Sequence, residues 1–218
     1  MKVLVVSPHP DDEVLGCGGT ISKHVSNADS VDLCIVTRTF PPDWPEEFHI
    51  KRLKEIAESS KLLGISNIHN LDFETVKLDT VPQFKINKAL DEVLSNVKPD
   101  ILYIPFKGDL HKDHRITFES SLVSARPRGC FPKKILSYET LSETSWGSQI
   151  SPFIPNYFVN IEGHLEKKLE AMKCYISELK DWPDQRSLES IEIQAKYRGS
   201  EVGYSAAEAF RIVRFIDE

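Results

Sequence analysis

Residues Pro8-His9-Pro10-Asp11-Asp12-Glu13 set one imidazole beside three carboxylates, directly after an apolar run. These groups ligate divalent metals and serve as the general acids and bases of hydrolysis. A second polar cluster follows later in the chain, with Asp109, His111, Asp113 and His114 close together. If the clusters meet, two imidazoles and one carboxylate make an open site for a divalent metal, with positions left for water and substrate. Each cluster alone has a blander explanation. Two histidines three apart commonly decorate a surface, and acids after Pro-His-Pro can cap a helix, whose N-terminus favours negative charge. Capping accounts for one of Asp11, Asp12 and Glu13, and not for all three beside His9.

The order of elements decides whether the clusters meet. Lys2–Ser7 has the pattern of a buried strand, and the prolines that follow cannot continue it. Further strands are expected over 31–37, 68–73 and 101–105. Ile50, Leu53, Ile56, Ala57 and Leu63 recur at helical spacing before Gly64, and helices are expected over 82–97 and 113–125. This alternation predicts an α/β fold, a Rossmann-like doubly wound and mostly parallel sheet flanked by helices. Loops after parallel strands emerge on one edge of the sheet. The clusters therefore meet at the C-terminal strand edge if the first and fourth strands are neighbours, as at a topological switch point.

After Pro127 the texture changes. Strands are expected over 133–139 and 157–161, with a Ser-, Thr- and Pro-rich stretch over 141–155 between them. Helices over 162–179 and 188–197 follow, the second stopped at Gly199, and a closing strand over 209–216. With no repeat and no linker, residues 1–218 read as one domain.

Composition excludes several classes. The chain has 218 residues and a formal net charge of −6, which argues against a nucleic-acid partner, since phosphate backbones need a basic face. Cys17, Cys34, Cys130 and Cys174 form no Cys-x-x-Cys pair and read as reduced, partly buried thiols of a cytoplasmic protein. The apolar start is too short for a signal peptide or a membrane span. Gly16, Gly18 and Gly19 lie too far beyond Ser7 for a dinucleotide fingerprint and lack the Walker lysine, so they read as close-packing positions.

Together these residues resemble a family. Pro8-His9-Pro10-Asp11-Asp12-Glu13 with Gly16-Cys17-Gly18-Gly19-Thr20 is similar to the signature of the LmbE-like, or PIG-L, zinc-dependent N-deacetylases. His111-x-Asp113-His114 resembles their second motif, Arg52-x-x-Glu55 a third, and Tyr197-Arg198-Gly199 with Ala207-Glu208-Ala209-Phe210 their C-terminal segment. The resemblance implies hydrolysis of the acetamido group of an N-acetylated amino sugar, free, nucleotide-linked or glycosidic, releasing acetate and an amine. It implies His9, Asp12 and His114 as metal ligands, Zn²⁺ as cofactor with Fe²⁺ the alternative, and Asp11 as general base. His111 becomes the second acid/base or electrophilic group, with Asp113 as the carboxylate partner that favours its charged form.

Arg52 and Arg38 are the candidate substrate contacts, through the planar fork that holds anionic or hydroxyl-rich groups. Phe40, Trp44 and Trp146 sit in Pro- or Ser-rich stretches and offer a wall for a sugar ring. The partner implied is a small N-acetyl amino sugar, and the chain is compatible with a homo-oligomer. The competing reading from another class is a noncatalytic metal- or sugar-binding protein on the same fold. Asp11 and His111 speak against it, because binding alone needs neither an unliganded base nor a second acid.

Overall fold

Alternation along the first strand sets the two faces of the sheet. In β1 (Lys2–Ser7), Val3 and Val5 point to one side and Leu4 and Val6 to the other, all fully buried. A strand buried on both faces needs helices above and below it. The computed structural model, which describes residues 1–127 and 131–217, has this arrangement. On the Val3 side pack α1 (Asp12–Ser26), α2 (Glu46–Leu63), α6 (Leu165–Cys174) and α7 (Leu188–Ser200). On the Leu4 side pack α3 (Gln83–Val97), through Ile86, Leu90, Val93 and Leu94, and α4 (Lys112–Ser124), through Phe118.

The remaining strands are β2 (Ser30–Arg38), β3 (Asn67–Glu74), β4 (Ile101–Ile104), β5 (Lys134–Tyr138), β6 (Tyr157–Asn160) and β7 (Ala207–Phe215). They form one seven-stranded sheet in the order β3-β2-β1-β4-β5-β7-β6. The chain winds outward from β1 through β2 to β3, then returns to the other flank of β1 with β4. β1 and β4 are parallel neighbours, with Val3, Leu4 and Val5 opposite Ile101, Leu102 and Tyr103. Loops leaving their C-terminal ends share one crevice, as the topological argument requires. β7 runs antiparallel between β5 and β6, so the last strand of the chain completes the sheet.

Three expectations need correction. The helix expected over 162–179 is α6 alone, because Glu55 on α2 accepts the backbone amide of Ser177 at 2.9 Å and draws that segment out of the helix. Gly199 does not stop α7, which runs to Ser200. A Cβ there would lie 2.5 Å from the Tyr204 carbonyl oxygen, so glycine is required by close approach of the backbone. The Ser/Thr/Pro-rich stretch contains a seven-residue helix, α5 (Leu141–Gly147), anchored where the buried Thr144 hydroxyl donates to Asp109. Cys17, Cys34 and Cys174 are free, the first two buried and the third half-buried, whereas Cys130 lies outside the described residues.

Helix α1 carries an inserted ion pair. Glu208 on β7 accepts the amides of Gly19 and Thr20 at 2.9 and 2.7 Å. Lys168 on α6 donates to the carbonyl of Leu15 at 2.8 Å and pairs with Glu208 at 2.6 Å. At Gly16 no Cβ fits, because the ring of Tyr138 occupies that space. Close packing is therefore what this glycine provides. Glu208→Ala leaves the buried Lys168 without its counter-charge and is expected to cost about 3–5 kcal/mol. Urea unfolding followed by circular dichroism measures this as a lower midpoint at unchanged slope, and an unchanged midpoint would refute it.

Candidate active site

The loop between β1 and α1 is fastened at nearly every polar backbone atom. The amide and hydroxyl of Thr37 both donate to the Pro8 carbonyl, at 3.1 and 2.8 Å. Arg52 Nη2 donates to the Pro10 carbonyl at 2.7 Å. Glu13 accepts the amide of Asp11 at 3.1 Å and also the hydroxyl of the buried Tyr175. These contacts hold Asp11 at φ +108°, a conformation that non-glycine residues rarely adopt. The three adjacent acids thus have separate places: Glu13 ties the loop down, Asp12 turns toward the histidines, and Asp11 faces a cavity.

The two clusters do meet. Asp12 Oδ2 lies 3.3 Å from His9 Nδ1 and 3.2 Å from His114 Nε2, and the three residues form a group able to hold one metal ion. Behind each imidazole stands a carboxylate. His114 Nδ1 is 2.8 Å from Asp109, and His9 Nε2 is 3.1 Å from Asp113. Such outer carboxylates fix which nitrogen carries hydrogen, leaving the opposite lone pairs turned toward Asp12. Asp12 Oδ1 and His114 Nε2 are buried with no hydrogen-bond partner. Unsatisfied buried acceptors of this kind, in an imidazole and carboxylate donor set, fit a divalent metal. His9, His111 and Asp113 form a second possible group. The first fits better, because Asp113 already accepts the amides of Val76 and Leu78 at 2.7 and 3.2 Å.

Protonation follows from these neighbours. Burial works against charge on His114, but Asp12 and Asp109 on either side outweigh it and push its pKa up to about 10. Burial also opposes ionisation of Asp12, yet His114 and His9 hold its carboxyl well below the usual carboxylate range. Burial pushes Asp11 up to about 8, against the opposing charge of Arg186, with Asp12 adding to the rise. His111 is different. Burial and the nearby His9 and His114 pull it down to about 4, so it is neutral at pH 7. Its Nδ1 accepts the Asp113 amide at 3.1 Å, which places hydrogen on Nε2. The expected pairing of Asp113 with a charged His111 is therefore overturned. The Asp113 carboxylate serves His9 instead.

His9, Asp11 and His111 line one end of a cavity of about 270 Å³ that extends beneath β2, β3 and α2. Arg52 and Arg38 both reach its wall. Arg52 is engaged at both terminal nitrogens, with Nη1 bonded to Ser177 and Glu178 as well as Nη2 to Pro10. Arg38 donates to His49 at 3.0 Å and stacks on Phe40. Trp44 lines the cavity, whereas Trp146 does not. Glu178 and Arg186 complete the wall, and Arg186 Nη1 lies 3.9 Å from Asp11 Oδ2. No sequence signal marked them, since Glu178 falls at the end of the helix expected over 162–179 and Arg186 in the unassigned stretch between that helix and the next.

Residues 4–124 match the PIG-L family, described as GlcNAc-PI de-N-acetylase. The chain belongs to the PIG-L family. The matched segment contains His9, Asp11, Asp12, His111, Asp113 and His114. Over 226 residues the chain is 29% identical to diacetylchitobiose deacetylase from Thermococcus kodakarensis, spanning 97% of this chain and 83% of that protein. The structure of N,N'-diacetylchitobiose deacetylase from Pyrococcus horikoshii, complexed with the inhibitor MPG, aligns with a TM-score of 0.78 at 28% identity, covering 97% of this chain and 83% of that one. The 4-carboxy-2-hydroxymuconate hydratase GalB from Pseudomonas putida KT2440 aligns with a TM-score of 0.79 at 18% identity, over 100% and 99% of the two chains. That likeness concerns the fold alone, and a PIG-L-like sheet does not by itself fix a reaction.

Two outcomes follow for the PIG-L cluster. A proton on His114 and a metal ion compete for one lone pair, so Zn²⁺ affinity is expected to rise with pH up to about 10, with proton release on binding. Calorimetry in buffers of different ionisation enthalpy reads that release, and pH-independent affinity would contradict it. Asp109→Ala removes the carboxylate behind His114 and should weaken metal binding by about 10–100-fold in a chelator competition.

Proposed function

We propose that this chain is a metal-dependent hydrolase that removes the acetyl group from an N-acetylated, GlcNAc-type amino sugar, releasing acetate and a free amine. One observation carries the reading. A base and a hydrogen-bond donor that the metal group does not use, Asp11 and His111, stand beside His9, Asp12 and His114 at the wall of one cavity. The deacetylase relatives supply the bond and the substrate class. The reading takes residues 1–218 as a single domain acting in the cytoplasm. Among the described residues, no helix is long and apolar enough to cross a membrane.

His9, Asp12 and His114 would hold Zn²⁺, or Fe²⁺, whose charge lowers the pKa of water from about 15.7 to about 7 and polarises an amide carbonyl. The chain's own groups do the rest. Asp11, with Oδ2 buried and unpartnered, takes a proton from water as its oxygen adds to the acetamido carbon. Asp11 then returns that proton to the nitrogen as the C–N bond breaks, so acetate and amine leave in balance. Its pKa of about 8, set by burial against Arg186, makes it a stronger base than an exposed aspartate. His111, neutral and carrying hydrogen on Nε2, donates to the oxygen that becomes negative in the tetrahedral intermediate. A noncatalytic binder would have no use for either group.

The test is acetate release from free, nucleotide-linked and glycosidic N-acetylated amino sugars, with chelated protein and after restoring Zn²⁺ or Fe²⁺. Metal-dependent release is expected, and none from protein holding one metal per chain would refute the reading. Asp11→Asn should keep its metal and lose about 10²–10⁴-fold in kcat. His111→Ala should also keep its metal and lose on the order of 100- to 1000-fold. His9→Ala and Asp12→Ala should lose the metal itself, as read by elemental analysis.

A further inference from the structure

The short helix α5 grips the loop that carries Asp109 and His111. Between β4 and α4, three consecutive residues are each held by it. Gly147 packs directly on the Gly108 carbonyl, where no Cβ would fit. Thr144 Oγ1 donates to Asp109 Oδ1 at 2.6 Å, and the Glu143 carbonyl accepts the Leu110 amide at 3.1 Å. Asp109 is 0% exposed and Thr144 4%, so water does not compete for their bond. Asp109 is also the carboxylate behind His114, 2.8 Å from its Nδ1. The helix lies beyond residues 4–124, the segment that matches the family.

Donor and acceptor capacity fixes the direction of every bond in this series. Thr144 Oγ1 accepts the Thr140 amide at 2.9 Å. Its one hydrogen is then left for Asp109, whose ionised carboxylate only accepts. That bond occupies Oδ1 and turns Oδ2 to His114, so Nδ1 carries the hydrogen and the Nε2 lone pair faces Asp12. Without the hydroxyl, the Thr140 amide and Oδ1 would both be buried and unpaired, a costly state that a carboxylate relieves by turning toward another donor. The imidazole would lose its fixed orientation with it. Ser142 on the same helix is the contrast, since its buried Oγ has no hydrogen-bond partner among the described residues.

We propose that Thr144 is a positioning residue for the metal group. Its hydroxyl sets the Asp109 carboxylate, and Asp109 sets the tautomer and ring orientation of His114. The role rests on His9, Asp12 and His114 holding a metal, as in the deacetylase reading.

Three measurements test it: Zn²⁺ affinity by chelator competition, the visible spectrum of the Co²⁺-loaded protein, and the urea midpoint. Thr144→Val keeps the shape and removes the hydroxyl. It should bind Zn²⁺ about tenfold more weakly and shift the Co²⁺ bands, which report ligand geometry. Thr144→Ala should do the same. Thr144→Ser, which keeps the hydroxyl, and Ser142→Ala should stay within about twofold of wild type. On an Asp109→Ala background, Thr144→Val should cost no further affinity, because the carboxylate it acts through is gone. A full additional loss there, an unchanged affinity and spectrum in Thr144→Val, or an equal loss in Thr144→Ser or Ser142→Ala would overturn the role. So would failure of both Thr144→Val and Thr144→Ala to fold, which would assign the hydroxyl to the fold alone. No Zn²⁺ held by wild type would overturn the role together with the metal group. Metal binding that depends on Thr144, without acetate release from any amino sugar, would refute the deacetylase reading and leave the role standing.

Discussion

The backbone turn at Asp11 is the constraint on which the site depends. At φ +108° an aspartate sits where conformational strain is of order 1–3 kcal/mol, and such strain persists only when the surroundings over-determine it. Here Thr37 from β2, Arg52 from α2, Tyr175 from the end of α6 and Glu13 within α1 all bond to the loop or brace it. Released to an ordinary strand or helix conformation, Asp11 and Asp12 would not face the cavity and the histidines at once. Arg52 and Glu55, three apart on one helix face, divide this labour. Arg52 holds the Pro10 carbonyl, and Glu55 holds Ser177, which brings Glu178 and Arg186 to the same cavity.

The electrostatics follow from that geometry. Asp11, Asp12, Glu13, Asp109 and Asp113 are all buried within the two clusters. Buried carboxylates are tolerated when paired, hydrogen-bonded or set against a cation. Glu13 and Asp113 are answered by hydroxyl and amide donors, and Asp109 by His114 and Thr144. Asp12 and Asp11 each keep an unpartnered oxygen, one beside the imidazoles and one beside the cavity. Among these carboxyl groups, the unmet hydrogen-bonding capacity lies at the candidate metal group and the cavity.

The β-α-β order was legible because the strand patterns are ended by Pro or charge, whereas the adjacency of β1 and β4 was a condition of the argument, and the sheet order meets it. The meeting of His9 with His114 could be reasoned from topology alone. Three things were not legible. The partner of His111 depends on which way Asp113 turns, and two-residue spacing does not distinguish a side chain facing His111 from one facing His9. Arg186 lies between the two expected helices, and the segment that leads to it leaves the helix because the amide of Ser177 is claimed by Glu55, a contact between residues 122 apart. The short helix α5 has a composition that favours loops and is held by Thr144 on Asp109, again a long-range bond. Local pattern fixed the elements, and distant side-chain bonds set their ends.

The ion pair inserted into α1 has a consequence for synthesis on the ribosome. Chains fold vectorially, and contacts of large sequence separation wait for their later partner. The amides of Gly19 and Thr20 are answered by Glu208, and the carbonyl of Leu15 by Lys168. A nascent chain that has emerged through α4 already carries His9, Asp12 and His114. Its first helix still lacks the ion pair that bonds to Leu15, Gly19 and Thr20, and its sheet still lacks β5, β7 and β6. The half that carries the candidate metal group is made first and closed last, so the interval between them is when the nascent protein most needs shielding from other chains.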